Sequence, residues 1–412
     1  MSLPATPVVK IRLGTGPSFG NPLVLGDPLN GILGTNVLGS GAVQVVDVSS
    51  TVQRIAIRHG RDRMFDEYLP GEATIQFLDY TGDWNPYNQS GPYYGDIKPM
   101  RQVQVSATYS GTTYALFSGY ITSWDYEWVD ASVDYAVVTL RCVDGFRLLA
   151  LANVTTVTGA SANDLPGERI GYILDEIGWP ASARDLDLGD TELENDPNET
   201  RTALQAIQTV QNSDLGVFFI AHNGIATYYS RNRLSQLAAS TAYEFDDIGT
   251  NIQYQDVDIA YDDTELANQV SLKRHTGSTQ VVEDQNSIDE YFLRTFQRSG
   301  LLMKNNTLLL ARANQILNYR KEVRIRIDSL TLDVNAGSNR VEPALALEVG
   351  DPIVVRKNMA GGTHIDLRLT VQGHGHDITP DRWITQLTTA YPLSTAFILG
   401  SSEFGVLGTN TL

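Results

Sequence analysis

The chain has 412 residues, 42% of them apolar, a formal net charge of −18 and one cysteine, enough length for two or three domains with cores of their own. The acidic balance argues against a specific DNA- or RNA-binding protein, and the lone Cys142 excludes an internal disulfide framework and a cysteine-rich metal site. No window approaches the run of about 18 apolar residues that a membrane-spanning helix needs, and the opening MSLPATPVVK lacks the basic and apolar regions of a secretory signal.

Residues 1–40 read as a Leu/Gly-rich arm. Its stretch VLGDPLNGILGTNVL (Val24–Leu38) recurs at the other end as ILGSSEFGVLGTNTL (Ile398–Leu412), so 393–412 form a second arm repeating the first. Such a phrase is too short and too rich in glycine to build a core. Its leucines, Leu25, Leu33 and Leu38 with Leu399, Leu407 and Leu412, are therefore candidate contacts to a partner surface.

Strand follows strand over 41–147. In GEATIQFLD, Ala73, Ile75 and Phe77 face one way and Glu72, Thr74 and Gln76 the other. RQVQVSATYSGTTYALFSGYITSW reads as two strands around a Ser110-Gly111 turn, and DYAVVTLRCVD supplies another, with Cys142 on the apolar face beside Val138 and Leu140. Strands without helices over about 100 residues suggest a closed or nearly closed antiparallel barrel.

Residues 148–247 read as a small α+β module. Ile170, Ile173, Leu174 and Ile177 share one helical face, with Gly178 and Pro180 as stop signals. A second helix is expected to start at Asp196 as N-cap, with Pro197 at the first helical position and Glu199 in a capping box. Asn223-Gly224 between two apolar runs marks a hairpin. Over 248–392 strands resume, with a hairpin around Thr276-Gly277 and one helix capped by Thr307 that turns Leu309, Ala313, Ile316 and Leu317 inward. A second barrel fits this block.

Chemistry is sparse. His374 and His376, with His364 and Asp377 nearby, could share a strand face, but no second set of ligands accompanies them; no metal or cofactor is expected. The acids Asp185, Asp187 and Asp190 around Gly189 miss the spacing of a calcium loop and alternate with Leu186 and Leu188, as on a solvated edge strand. GTGPSFG and GSGA lack the strand–loop–helix setting of a phosphate loop, and neither a Gly-x-Ser-x-Gly elbow nor a His-Glu-x-x-His pair occurs, so no catalytic residue is expected. The loop DWNPYNQSGPYYGD gathers Trp84, Tyr87, Tyr93 and Tyr94. These aromatics suit an ordered loop folded onto its own barrel or onto a neighbouring subunit, the neighbour being favoured over stacking on a sugar.

In order, VQRIAIRHGRDRMFDEYLPGEATIQFLDYTGDWNPYN, PMRQVQVSATYSGTTYALFSGYITSWD, VVTLRCVDGFRLL, RIGYILDEIGWP, RTALQAIQTVQNSDLGVFFIAHNGIATYYSR, ANQVSLKR, QNSIDEYF, LARANQILNYR, LEVGDPIVV and HDITPDRWITQL resemble the hub-type minor tail proteins of long-tailed bacteriophages, over residues 43–392. The resemblance implies a mainly β fold: two tail-tube-like antiparallel β-barrels with an inserted α+β domain and extended arms. It implies a non-enzymatic virion protein, a homotrimeric tail-tip or baseplate hub that adapts a six-fold tube to a three-fold tip, assembled in the host cytoplasm. Implied partners are a distal tail or tail-tube ring, the tape measure and tip or fibre proteins, with phage DNA passing without specific binding. A carbohydrate-binding receptor module using the Trp84–Tyr94 loop is the other function expected.

Overall fold

Period-two sequence becomes strand where its apolar face can be covered. Ala73, Ile75 and Phe77 are buried as the alternation of their strand predicts, and Val9, Ile11 and Leu13 do the same in TPVVKIRL. The computed structural model describes residues 3–13, 44–128 and 135–393; the leucines of both arms lie outside the described residues.

The first β unit comprises β1 (Thr6–Leu13), β2 (Gln44–Asp47), β3 (Val52–Gly60), β4 (Leu69–Asp79), β5 (Gln102–Tyr109), β6 (Thr112–Trp128) and β7 (Ala136–Val143). An α+β block follows: α1 (Phe146–Leu151), β8 (Asn153–Val154), α2 (Pro166–Glu176), β9 (Arg184–Leu186), β10 (Arg201–Thr202), α3 (Ala203–Asp214), β11 (Val217–Ile220), β12 (Ala226–Tyr229) and α4 (Arg231–Ala238). The second β unit opens with β13 (Tyr243–Asp246), β14 (Ile252–Gln253) and β15 (Asp256–Ala260). An insertion carries β16 (Gln269–Arg274), β17 (Thr279–Glu283), α5 (Gln285–Tyr291), β18 (Thr295–Leu301) and α6 (Asn306–Arg320). The unit resumes with β19 (Arg326–Asp333), α7 (Val341–Ala346), β20 (Pro352–Asn358), β21 (His364–Ile378) and β22 (Trp383–Ala390).

The two β units repeat one plan. The first runs β2-β1-β5-β6-β7-β4-β3 and the second β14-β13-β20-β21-β22-β19-β15, the same order when strands are matched in chain sequence. The registers match as well. Gln102↔Tyr120 through Val105↔Phe117 recur as Pro352↔Thr370 through Val355↔Leu367, each residue 250 positions later. Both long central strands bulge at one place, between Ile121 and Ser123 and between Val371 and Gly373. Met100 and Arg101 exchange backbone hydrogen bonds with Ile121 as Gly350 and Asp351 do with Val371. That equivalence accounts for the left-handed φ of 65° at Met100: its counterpart Gly350 has φ 90° at the same corner. The units differ at their first strand, since β1 pairs β5 antiparallel and β13 pairs β20 parallel.

The units join inside the chain. β3 pairs antiparallel with the second half of β21, from Gly60↔Gly373 to Ile55↔Ile378, making one 14-stranded sheet. A single buried cluster runs from Ile11, Val103 and Phe117 to Ile327, Ile353 and Trp383. The two backbones touch where both residues are glycine. A Cβ at Gly60 would stand 2.3 Å from the Gly373 Cα, and one at Gly373 would stand 2.5 Å from the His59 carbonyl oxygen. Gly373→Val is therefore expected to cost about 2–3 kcal/mol in urea unfolding. Ser123→Val, at the matching position of β6, where among the described residues no strand pairs on the side away from β7, should leave the midpoint nearly unchanged.

Several elements depart from the sequence reading. β1 lies within the span expected to be an arm, yet it pairs with β5. β13 lies before residue 248 and pairs with β20. The Thr276-Gly277 hairpin belongs to a separate sheet, β17-β16-β18, covered by α6, and α5 and α7 join the one helix expected in 248–392. α3 starts at Ala203, because Asp196 is occupied by Arg201 and by its own turn to the Asn198 N–H, while Thr202 and Gln205 form the capping box. Asn305, not Thr307, caps α6 by accepting from the Leu308 N–H. Its inward residues Leu309, Ala313, Ile316 and Leu317 are buried as expected.

Candidate functional site

The aromatic loop between β4 and β5 is ordered by one carboxylate. Asp79 accepts from the backbone N–H groups of Thr81, Gly82 and Trp84 and from the Tyr126 hydroxyl. Trp84 folds back into the core, 7% exposed, against Phe77, Tyr93 and Trp124. This corrects the expectation of Trp84 as a surface aromatic: its faces are covered by other rings and offer no platform for a sugar. Tyr93 is half-buried, whereas Tyr87 and Tyr94 are exposed at 83% and 50%.

Trp124, stacked 5.8 Å from Trp84 and donating its Nε1–H to the Lys98 carbonyl, belongs to β6. The loop therefore lies along the second half of that strand. There the repeat leaves something open. In the second unit the corresponding half of β21 is paired by β3; among the described residues no strand pairs with Ser123–Trp128 on the side away from β7. At the far end of the sheet β15, the counterpart of β3, pairs only with β19 among the described residues. The cross-strand rows fix the match. Ile55–Ile75–Leu140–Trp124 in the first unit corresponds to Val257–Leu330–Leu387–His374 in the second.

Both open edges carry exposed apolar side chains: Trp128 on β6 at 60%, Ile259 on β15 at 40% and Tyr261 just beyond it at 70%. An unpaired, apolar strand edge is a template for another strand. Around the internal junction three solvent-facing arginines are tied to acids. Arg54 pairs with Asp377, Arg58 with Asp62 and Arg141 with Asp125, at 2.8, 2.8 and 3.1 Å.

The other sequence candidates separate. His374 and His376 lie on β21 in the interior, where they meet His59 and His222, two histidines that no local spacing links to them. His364 is exposed at the far end of that strand beside Asp366. In the acidic run Asp187 and Asp190 bind Arg233 and Arg231, so they are paired rather than merely solvated, while β9 is an edge strand. Cys142 is buried, and burial pushes its thiol well above its ordinary pKa. It should resist thiol reagents in the native protein and react once urea unfolds it.

Two solved tail proteins share this architecture. The 43 kDa tail protein of prophage MuSo2 from Shewanella oneidensis aligns over 85% of this chain and 94% of its own, with a TM-score of 0.55 and 11% identity. The tail protein from Neisseria meningitidis MC58 aligns over 94% and 96%, with a TM-score of 0.57 and 11% identity. No family model matches the sequence, and comparison with curated proteins finds no relative, so the likeness is one of fold.

Proposed function

We propose that the chain is a structural phage tail protein, a homotrimeric tail-tip hub surrounding the DNA-ejection channel. The observation that carries this reading is the half-satisfied repeat. One junction, β3 on β21, is made within the chain; among the described residues the matching partners, β15 and the second half of β6, stand open at its two ends. Setting β15 of one copy on β6 of the next is a heterologous contact, which closes into a ring of three when each copy is turned by a third of a circle from the last. Three copies present six similar β units, so one face can meet a six-fold tube and the other a three-fold tip. The shared fold of the two tail proteins supports the same assignment.

In this reading the neighbours are a distal tail or tail-tube ring, the tape measure and tip or fibre proteins, and the two Leu-Gly-rich arms engage them. DNA passes without specific binding, because the net charge is −18 and three of the junction arginines, Arg54, Arg58 and Arg141, are paired with acids. The protein assembles in the host cytoplasm and resides at the tail tip of the virion. Light scattering on the purified chain together with negative-stain images tests the assignment. The expected result is a mass of three chains and a ring with a central hole that captures a tail-tube or tape-measure protein. A lone monomer with no affinity for tail proteins would overturn it.

A further inference from the structure

We infer that His222, His374 and Glu348 form a binding site for one divalent transition-metal ion, zinc by ligand type, that pins the α+β block to the joint between the two β units. The three residues come from separate parts of the fold. His222 sits in the hairpin between β11 and β12, Glu348 in the segment between α7 and β20, and His374 on β21 opposite His59 of β3. One ligand atom from each lies within 4.8 Å of the others. His222 Nε2 stands 3.3 Å from a Glu348 carboxylate oxygen. Two ligands on one tetrahedral zinc, each about 2.0–2.1 Å from the metal, are about 3.3–3.4 Å apart. The His222 and His374 ring centroids are 4.0 Å apart, edge to face.

Unmet hydrogen-bonding capacity points the same way. His374 is 3% exposed and neither ring nitrogen makes a hydrogen bond; His222 Nε2 and His59 Nε2 make none either. Buried polar atoms are otherwise almost always paired, so two such nitrogens on one interior ring call for a partner.

Surrounding groups hold Glu348 and order the ring beside His374. Glu348 accepts from the backbone N–H groups of His222 and Val349. Behind His374, the His376 Nδ1 accepts from the Trp383 indole at 3.3 Å and lies 2.9 Å from the Thr385 hydroxyl. His59 hydrogen-bonds the Leu116 backbone and stacks 5.5 Å from His374, leaving its Nε2 as a further nitrogen beside the site.

The test uses the full chain, stripped by chelator and dialysed, then titrated with Zn²⁺ or Co²⁺ and measured by elemental analysis, visible absorption and thermal melting. Expected results are one ion per chain, the visible bands of tetrahedral cobalt, and a higher melting temperature with metal. His374→Gln and Glu348→Gln should each weaken Zn²⁺ binding at least 100-fold, whereas His364→Ala, on the exposed end of the same strand, should bind normally. Circular dichroism separates a variant that fails to bind from one that fails to fold. A folded wild-type chain that takes up no zinc at micromolar concentration, or folded Gln variants that bind undiminished, would overturn the site. The readout concerns the single chain and is independent of ring assembly.

Discussion

Ile259→Lys should convert a three-chain particle into monomers while changing the chain's own unfolding midpoint little. Ile259 is already 40% exposed, so the single chain loses little buried area. In the proposed ring it would stand on the β15 edge that meets the next copy, where a charge blocks strand addition. Trp128→Lys, on the complementary edge, should have the same effect alone, because each variant damages every junction. Loss of one apolar anchor at a contact centre costs about 2 kcal/mol, or roughly 30-fold in affinity, and a closed trimer has three such contacts. Sedimentation velocity over a concentration series reads the result. If both variants remain trimeric, the open edges are not the interface.

Arg169→Ala should be the most damaging single change to the α+β block, about 3–5 kcal/mol in urea unfolding. Arg169 is fully buried on α2. Its guanidinium binds Asp164 at 2.9 Å and the carbonyls of Ser161 and Glu194 at 2.7 and 2.9 Å, and lies 3.7 Å from Asp196. Truncation leaves two interior carboxylates with less to neutralise them. Lysine should not rescue it, since one ammonium cannot span that fork. The pH dependence carries a signature. Burial raises the Asp164 carboxyl, but the Ser161 N–H and Arg169 together hold it below its ordinary value. Its contribution is therefore present above the unfolded value of about 4 and lost as pH falls through the lower folded value. Without Arg169 burial dominates, so in the variant stability should fall, not rise, between about pH 4 and 7.

Sequence carried the local structure and missed the long-range matches. The alternation of 71–79, the Ser110-Gly111 turn with both residues at positive φ, and the Asn223-Gly224 hairpin formed as their residue types require. α3 was misplaced although Thr202 and Gln205 spell a capping box, because Asp196-Pro197 offers an equally good local start; only the tertiary demand of Arg169 and Arg201 on Asp196 decides between them. The repeat cannot be read from identity: RQVQVSAT and DPIVVRKN share only the valine at Val105 and Val355 and an apolar residue at Val103 and Ile353, and the evidence lies in register and in the left-handed corner at Met100 and Gly350. The metal-ligand candidates were half visible. His374 and His376 share a strand, but His222 and Glu348 reach them only through the packing of the block between the units.

The central claim is that β15 of one copy lies on β6 of the next as β3 lies on β21. In the internal junction Ile57 faces His376; their counterparts are Ile259 and Tyr126. Facing residues of an antiparallel pair have Cα atoms about 4.5–5.5 Å apart, within reach of a disulfide. A chain carrying Tyr126→Cys and Ile259→Cys, oxidised and run on a non-reducing gel, tests the claim directly, with native Cys142 buried and silent. A covalent species of three chains that reducing agent returns to one is the predicted result. Only monomers, or a ladder running past three, would contradict it.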